Sequence, residues 1–162
     1  MTLAHLLQRQ ARAAPDRPAI LEGTRAWATH AQWAARSAGL AQRLRDAGLL
    51  PGDRVVLFMR NHPRYLEILW GAWWAGLVVV PINARLHPRE IAYIVRNSGA
   101  RALVYGPEYH EGIASRADEF DGAELKICRA KLPERVSTSN RPSSSRRRNS
   151  SPAAIPWANP GE

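Results

Sequence analysis

With 162 residues, 45% of them hydrophobic and 23% charged, the chain has room for one soluble domain with a real core. The net charge of +9 points toward nucleic acid, but more than half of the excess falls after residue 128, outside any periodic segment. The single cysteine, Cys128, excludes an internal disulfide and fits a cytoplasmic, reducing setting; a small packed thiol is favoured there over a nucleophile.

Thr2 is placed to cap a first helix with Leu3, Leu6, Leu7 and Ala11 on its apolar side. His5, Arg9 and Arg12 leave that apolar start too short for a secretory signal. An organellar transit helix is the less favoured reading of the same pattern. Pro15-Asp16-Arg17-Pro18 ends the helix. Ala19–Leu21 and Arg25–Trp27 then flank Glu22-Gly23-Thr24, the pattern of a short hairpin. Thr29, with Gln32 three residues on, forms a capping-box pattern. It opens a helix with Trp33, Ser37, Leu40, Ala41 and Leu44 on one side and Gly48 as its left-handed stop.

Pro51-Gly52-Asp53 turns the chain into Val55–Met59, a continuous apolar run expected of a strand buried on both faces. Asn61-His62-Pro63 should cap a helix running to about Ala75, and Gly76 should end it. Leu77–Ile82 reads as a second strand. Pro88 and Glu90 suit a helix first turn. Ile91, Ile94, Val95 and Ser98 line that helix's inner face, and Gly99 stops it. Ala102–Tyr105 is a third strand, Tyr109–Ala117 a weaker helix, and Glu124–Cys128 a last strand. Strands alternating with helices through short loops predict an α/β fold, a partial doubly wound and mainly parallel sheet. Ile68–Ile82 has no charged residue but falls short of the ~18 residues a membrane span needs. Residues 129–162 lose all periodicity and are more than half Ser, Arg and Pro. They are expected to be a disordered tail, set apart from an α/β part at 1–128.

Two blocks carry a family resemblance. Ala28-Thr29-His30-Ala31-Gln32-Trp33 is similar to the Leu-Thr-Tyr-x-Glu-Leu motif of adenylate-forming enzymes, departing at the Tyr, Glu and final Leu. Trp74-Ala75-Gly76-Leu77-Val78-Val79-Val80-Pro81-Ile82-Asn83 resembles their Lys-Ala-Gly-x-x-x-Val-Pro-Ile-Asn block, with Trp74 in place of Lys. Pro15–Ala19, Gly52–Val55, Asn61–Leu66, Arg85-Leu86 and Glu90-Ile91 match in order and spacing. The chain thus resembles the N-terminal segment of an AMP-forming acyl-CoA synthetase. That resemblance implies a parent ligase, active in fatty acid metabolism, which uses ATP and Mg²⁺ to make an acyl-adenylate and passes the acyl group to coenzyme A. The family's Ser/Thr/Gly-rich phosphate loop, which wraps phosphates in backbone N–H groups, has no counterpart here. Neither do the adenine-site motif, the ribose-binding Asp or the catalytic Lys. No catalytic, cofactor-binding or metal residue is therefore carried over, no cofactor is expected for this chain alone, and a truncation or frameshift near residue 128 is the expected origin of the tail.

Ligands of open parallel sheets gather beyond the strand carboxyl ends. Those ends should hold Asn61 and His62, then Asn83, Arg85 and His87, then Gly106 and Glu108. The functional reading is a substrate-side rim. The favoured one is that Asn61 and His87 cap helices, Arg85 pairs locally and Glu108 is solvated. Trp70, Trp73 and Trp74 share a helix face and suit packing better than a binding platform. His5, His30, His62, His87 and His110 lack metal-ligand spacing. Asp118, Glu119 and Asp121 suit a solvated helix end. Arg146, Arg147 and Arg148 could contact phosphates, though a solvated tail is favoured over nucleic-acid binding. Strand edges left bare by a partial sheet favour self-association. A self-sufficient α/β binding module and a basic-tailed nucleic-acid binder stay open as rivals.

Overall fold

The computed structural model describes residues 3–132. Its helices are α1 (Leu3–Ala13), α2 (His30–Asp46), α3 (Arg64–Trp74), α4 (Pro88–Ser98) and the one-turn α5 (His110–Ala114). Its strands are β1 (Pro18–Glu22), β2 (Arg25–Thr29), β3 (Arg54–Phe58), β4 (Val78–Pro81), β5 (Ala100–Tyr105) and β6 (Leu125–Cys128). β1 and β2 pair antiparallel. The other strands form a parallel sheet in the order β4-β3-β5-β6.

The expected doubly wound architecture follows from the register of β3. Val55 and Leu57 point to one face and pack with Leu40, Ala41 and Leu44 of α2 and Ile68 and Ala72 of α3. Val56 and Phe58 point to the other and pack with Ile91, Ala92 and Val95 of α4 and Ile113 of α5. A period of two sends alternate residues to opposite layers, so only an unbroken apolar run serves both. The chain steps from β3 to β4 with α3 on one face, then back past β3 to β5 with α4 on the other. Right-handed crossovers demand that swap when the step reverses direction.

Local signals behave as the sequence predicts at most helix ends. Thr29 Oγ1 accepts the N–H of Gln32, and Gln32 Oε1 accepts the N–H of Thr29 at 3.0 Å. At the end of α2, Gly48 adopts φ 85°. Its N–H reaches Arg45 O at 2.8 Å, and Leu49 N–H reaches Leu44 O at 3.1 Å, closing a Schellman motif.

Three expectations change. In α1 the buried residues are Ala4 and Leu7, while Leu3 and Leu6 remain 46% and 43% exposed. A stripe at 4, 7, 8 and 11 has the same helical spacing as the expected one, and the small Ala4 lets α1 lie close on α2 and α3. The expected helix at 109–117 is replaced by 3₁₀ turns at Pro107–Tyr109 and Ala117–Phe120 around the short α5. Gly112 lies inside that stretch and weakens helix formation, and Ile113 and Phe120 are its buried anchors. At 61–63 the N-cap is Pro63, which offers no side-chain hydrogen bond; His62 Nδ1, one residue earlier, accepts the N–H of Arg64 at 3.1 Å, and Asn61 lies exposed. β4 is an edge strand, and Val78 is 49% exposed.

Beyond Cys128 the described chain continues through a 3₁₀ turn at Arg129–Lys131, and Leu132 packs on the core. The rest of the expected tail, Arg146–Arg148 included, lies outside the described residues.

Candidate functional site

An open cleft lies beyond the carboxyl ends of β3 and β4. In the order β4-β3-β5-β6 the topological switch point, where open α/β sheets bind ligands, lies between β3 and β5; the cleft flanks it, with Tyr109 on the β5 side. Met59, Arg60, Asn61 and Tyr65 line one wall; the segment from Ile82 to Pro88, with Glu90, lines the other; Tyr109 closes the side toward β5.

Most polar groups on these walls also shape the backbone. Asn83 Oδ1 accepts the N–H of Arg85 at 2.9 Å, an Asx turn that bends the chain out of β4. His87 Nδ1 accepts the N–H of Arg89 at 3.3 Å, and Glu90 Oε2 accepts the N–H of His87 at 2.7 Å, so His87 caps α4 as expected. Tyr109 O–H donates to Ala84 O at 2.7 Å while its ring packs 4.0 Å from that of Phe58. Burial raises the Tyr65 phenol.

The structure thus brings together Asn61, Asn83, Arg85 and His87. Arg85's local pairing runs through its backbone N–H, its side chain being exposed. His62 points elsewhere, edge-on to Trp27 at 5.3 Å. Gly106 ties β5 to β3 through its N–H to Phe58 O at 3.0 Å, and Glu108 is exposed; the cleft takes Tyr109 instead. Trp70 packs between Trp33, tilted at 4.8 Å, and Trp73, edge to face at 4.9 Å, whereas Trp74 packs on the core beside the sheet. Glu119 pairs with Arg116 at 3.3 Å. Among the described residues, no three His, Cys, Asp or Glu side chains converge as a metal site would need. No described helix is long and apolar enough to cross a membrane.

The model of the AMP-binding enzyme family matches residues 7–160, on both sides of Cys128. The chain belongs to this family. A feruloyl-CoA synthase of Amycolatopsis sp is 43% identical over 109 residues, covering 67% of this chain and 22% of that protein. Long-chain fatty acid transport protein 1 of Mus musculus is 30% identical over 138 residues, covering 83% and 21%. The solved N-terminal domain of FACL13 from Mycobacterium tuberculosis superposes with a TM-score of 0.73 at 30% identity, covering 81% of this chain and 34% of that one. The chain therefore spans about a fifth of the length of the curated relatives it matches.

In this member of the AMP-binding family the sequence reading missed a buried charge cluster behind the cleft. Glu67 and Arg64 of α3 are both buried. Glu67 Oε1 accepts from Trp27 Nε1 of the hairpin at 2.9 Å and from the Arg36 guanidinium of α2 at 2.7 Å. Arg64 Nε lies 3.5 Å from Glu67 Oε2, and Ser37 Oγ donates to Glu67 O at 3.2 Å. The Arg64 guanidinium also donates to Leu132 O at 2.8 Å and to Arg129 O at 3.4 Å. One carboxylate thus joins the hairpin to both helices, and Arg64 extends that join to the turn after β6. The i, i+3 spacing of Arg64 and Glu67 was the one signal available, and on a helix that spacing usually marks a solvated pair.

Proposed function

We propose that this chain supplies the N-terminal α/β part of a cytoplasmic, AMP-forming ligase that joins a carboxylic acid to coenzyme A, and that alone it makes no acyl-adenylate. The observation that carries this reading is the cleft beyond the carboxyl ends of β3 and β4 in a chain of the AMP-binding family. The residues present do not fit a complete site for ATP and Mg²⁺. No glycine-rich loop offers a nest of N–H groups to a triphosphate. Lysine is absent from the cleft wall, and its one carboxylate, Glu90, is already engaged by His87 N–H. What remains is a polar cleft with Arg60 exposed on one wall and Arg85 on the other.

The relatives' names suggest two acids to try, ferulate and a long-chain fatty acid. ATP–pyrophosphate exchange by the purified 162-residue chain is expected to stay at the blank with either. Exchange above the blank, without any helper protein, overturns the proposal. The exposed β4 edge supports self-association of the isolated chain. Sedimentation velocity should then show species above the monomer mass, and a monodisperse monomer would count against that part.

A further inference from the structure

His62 is faced by hydrogen-bond donors at both ring nitrogens. The Arg64 N–H points at Nδ1 from 3.1 Å. The Arg129 guanidinium lies 3.0 Å from Nε2. A neutral imidazole has one lone pair to offer, so it accepts from one of these partners whichever tautomer it takes. An imidazolium has none, and both of its N–H groups would then face another donor. Protonation therefore adds a second opposed donor pair and a positive charge beside two arginines.

The two arginines concerned also hold the chain where it leaves β6. Arg129 opens the 3₁₀ turn, and Leu132 N–H closes it on Arg129 O at 3.1 Å. Arg64 clasps the same turn through the carbonyls of Arg129 and Leu132. The Arg64 guanidinium thus ties the turn to the start of α3, and Arg129 brings it against the His62 ring. The turn lies next to Arg60 and Asn61, which line the cleft.

We propose that His62 is a proton-sensitive latch: with its ring neutral the Arg129–Leu132 turn rests on α3, and protonation, by setting an imidazolium against Arg129 and Arg64, releases it. The charged groups around the ring tilt the same way. Burial and the cations Arg129 and Arg64 hold the imidazole below its ordinary range, outweighing the opposing pull of Glu22 and Glu67. The latch needs no nucleotide and stands whether or not the cleft binds one.

The test follows individual amides and ring nitrogens of the full chain by NMR from pH 8 to pH 5. The His62 ring should titrate below the ordinary histidine value of about 6.5. The Leu132 and Arg129 amide shifts should move with it along one curve, and His62→Gln should flatten both. Substitutions at constant pH separate the latch from general acid unfolding. At pH 7.5, His62→Lys should speed Leu132 amide exchange about tenfold over His62→Gln, while amides in the centre of β3 stay equal between the two variants. Equal Leu132 exchange in the Lys and Gln variants overturns the latch. So does a His62 ring that titrates while the Leu132 amide stays still.

Discussion

On one face of the sheet, Ile91, Ala92 and Val95 of α4 close on Val56, Phe58 and Leu103 as an apolar contact. On the other, α3 brings Ile68 and Ala72 to Val55 and Leu57, yet its outer side carries Arg64 and Glu67, buried under α2 and the hairpin. Each apolar residue on the first face removes its own area from water, and losses there should scale with volume. On the second face, one carboxylate answers donors from β2, α2 and α3 at once. Losses there should depend on which charge is left behind. Area holds the α4 layer to the sheet; a shared ion also fixes how the α2–α3 layer and the hairpin meet.

Removing Glu67 is the sharpest way to break that contrast. Glu67→Ala leaves Arg36, Arg64 and the Trp27 N–H facing one another without their acceptor, and should cost about 4 kcal/mol in urea unfolding. Ile91→Ala opens a cavity on the opposite face and should cost about 3 kcal/mol. Ile91→Val should recover most of that second loss, because less volume is removed. Glu67→Gln should recover only part of the first, because an amide still accepts from Trp27 but cannot balance the guanidinium groups. If both series fall on one line of energy against deleted volume, the contrast between the faces is wrong.

A smaller effect separates helix propensity from packing at the α2–α3 crossing. A Cβ on Gly71 would lie 2.9 Å from Leu40 Cδ2 and 3.0 Å from Leu40 Cβ. Ala is a better helix former than Gly by about 1 kcal/mol, but forcing extra volume into a packed contact costs about 1–3 kcal/mol. Leu40 Cβ is tied to its backbone and cannot swing away. Gly71→Ala should therefore destabilise by about 1 kcal/mol in the same assay; a stabilised variant would show that α2 yields at the crossing.

Legibility in the sequence divides along the same line. The unbroken run Val55–Met59 announces a strand buried on both faces, and the helices stop at the glycines of the αL turns. Those signals depend on residue type and spacing alone, so the parallel α/β order can be read before any contact is known. Asn61, Asn83, Arg85 and His87 could be placed at strand ends, and so in one cleft, by the same logic. Trp27, Arg36 and Glu67 could not be brought together, because their meeting depends on how the hairpin docks on α2 and α3. The stripe in α1 fails for a related reason. Positions 3, 6, 7 and 11 and positions 4, 7, 8 and 11 fit one helical period equally well, and the partner surface chooses Ala4. His62 shows both limits. Its place in the loop after β3 is legible, but its engagement with Trp27 and Arg129 is a tertiary fact.

The smallest effect expected is electrostatic, at the amino ends of the strands. Asp53 Oδ2 accepts the N–H of Leu50 at 2.8 Å and pairs with Arg101 at 2.7 Å; Arg101 also reaches Glu124 at 2.6 Å. The Leu50 N–H and Arg101 hold the Asp53 carboxyl below its ordinary range, and Arg101 does the same to Glu124. A carboxylate whose folded pKa is lowered contributes stability that is present above its unfolded value and fades as pH falls through the folded one. His62, also lowered, follows the same sign at higher pH: its neutral form contributes fully above about 6.5, and that contribution declines with acid. Acidification should thus weaken the chain in two windows, one below the ordinary histidine range and one below the ordinary carboxylate range of about 4. Urea midpoints of Asp53→Asn should flatten the lower window and leave the upper one in place. The Arg101 pairs are partly exposed, so the lower window should also shrink when salt is raised. A lower window that survives both Asp53→Asn and high salt would place the acid-sensitive carboxylates elsewhere in the chain.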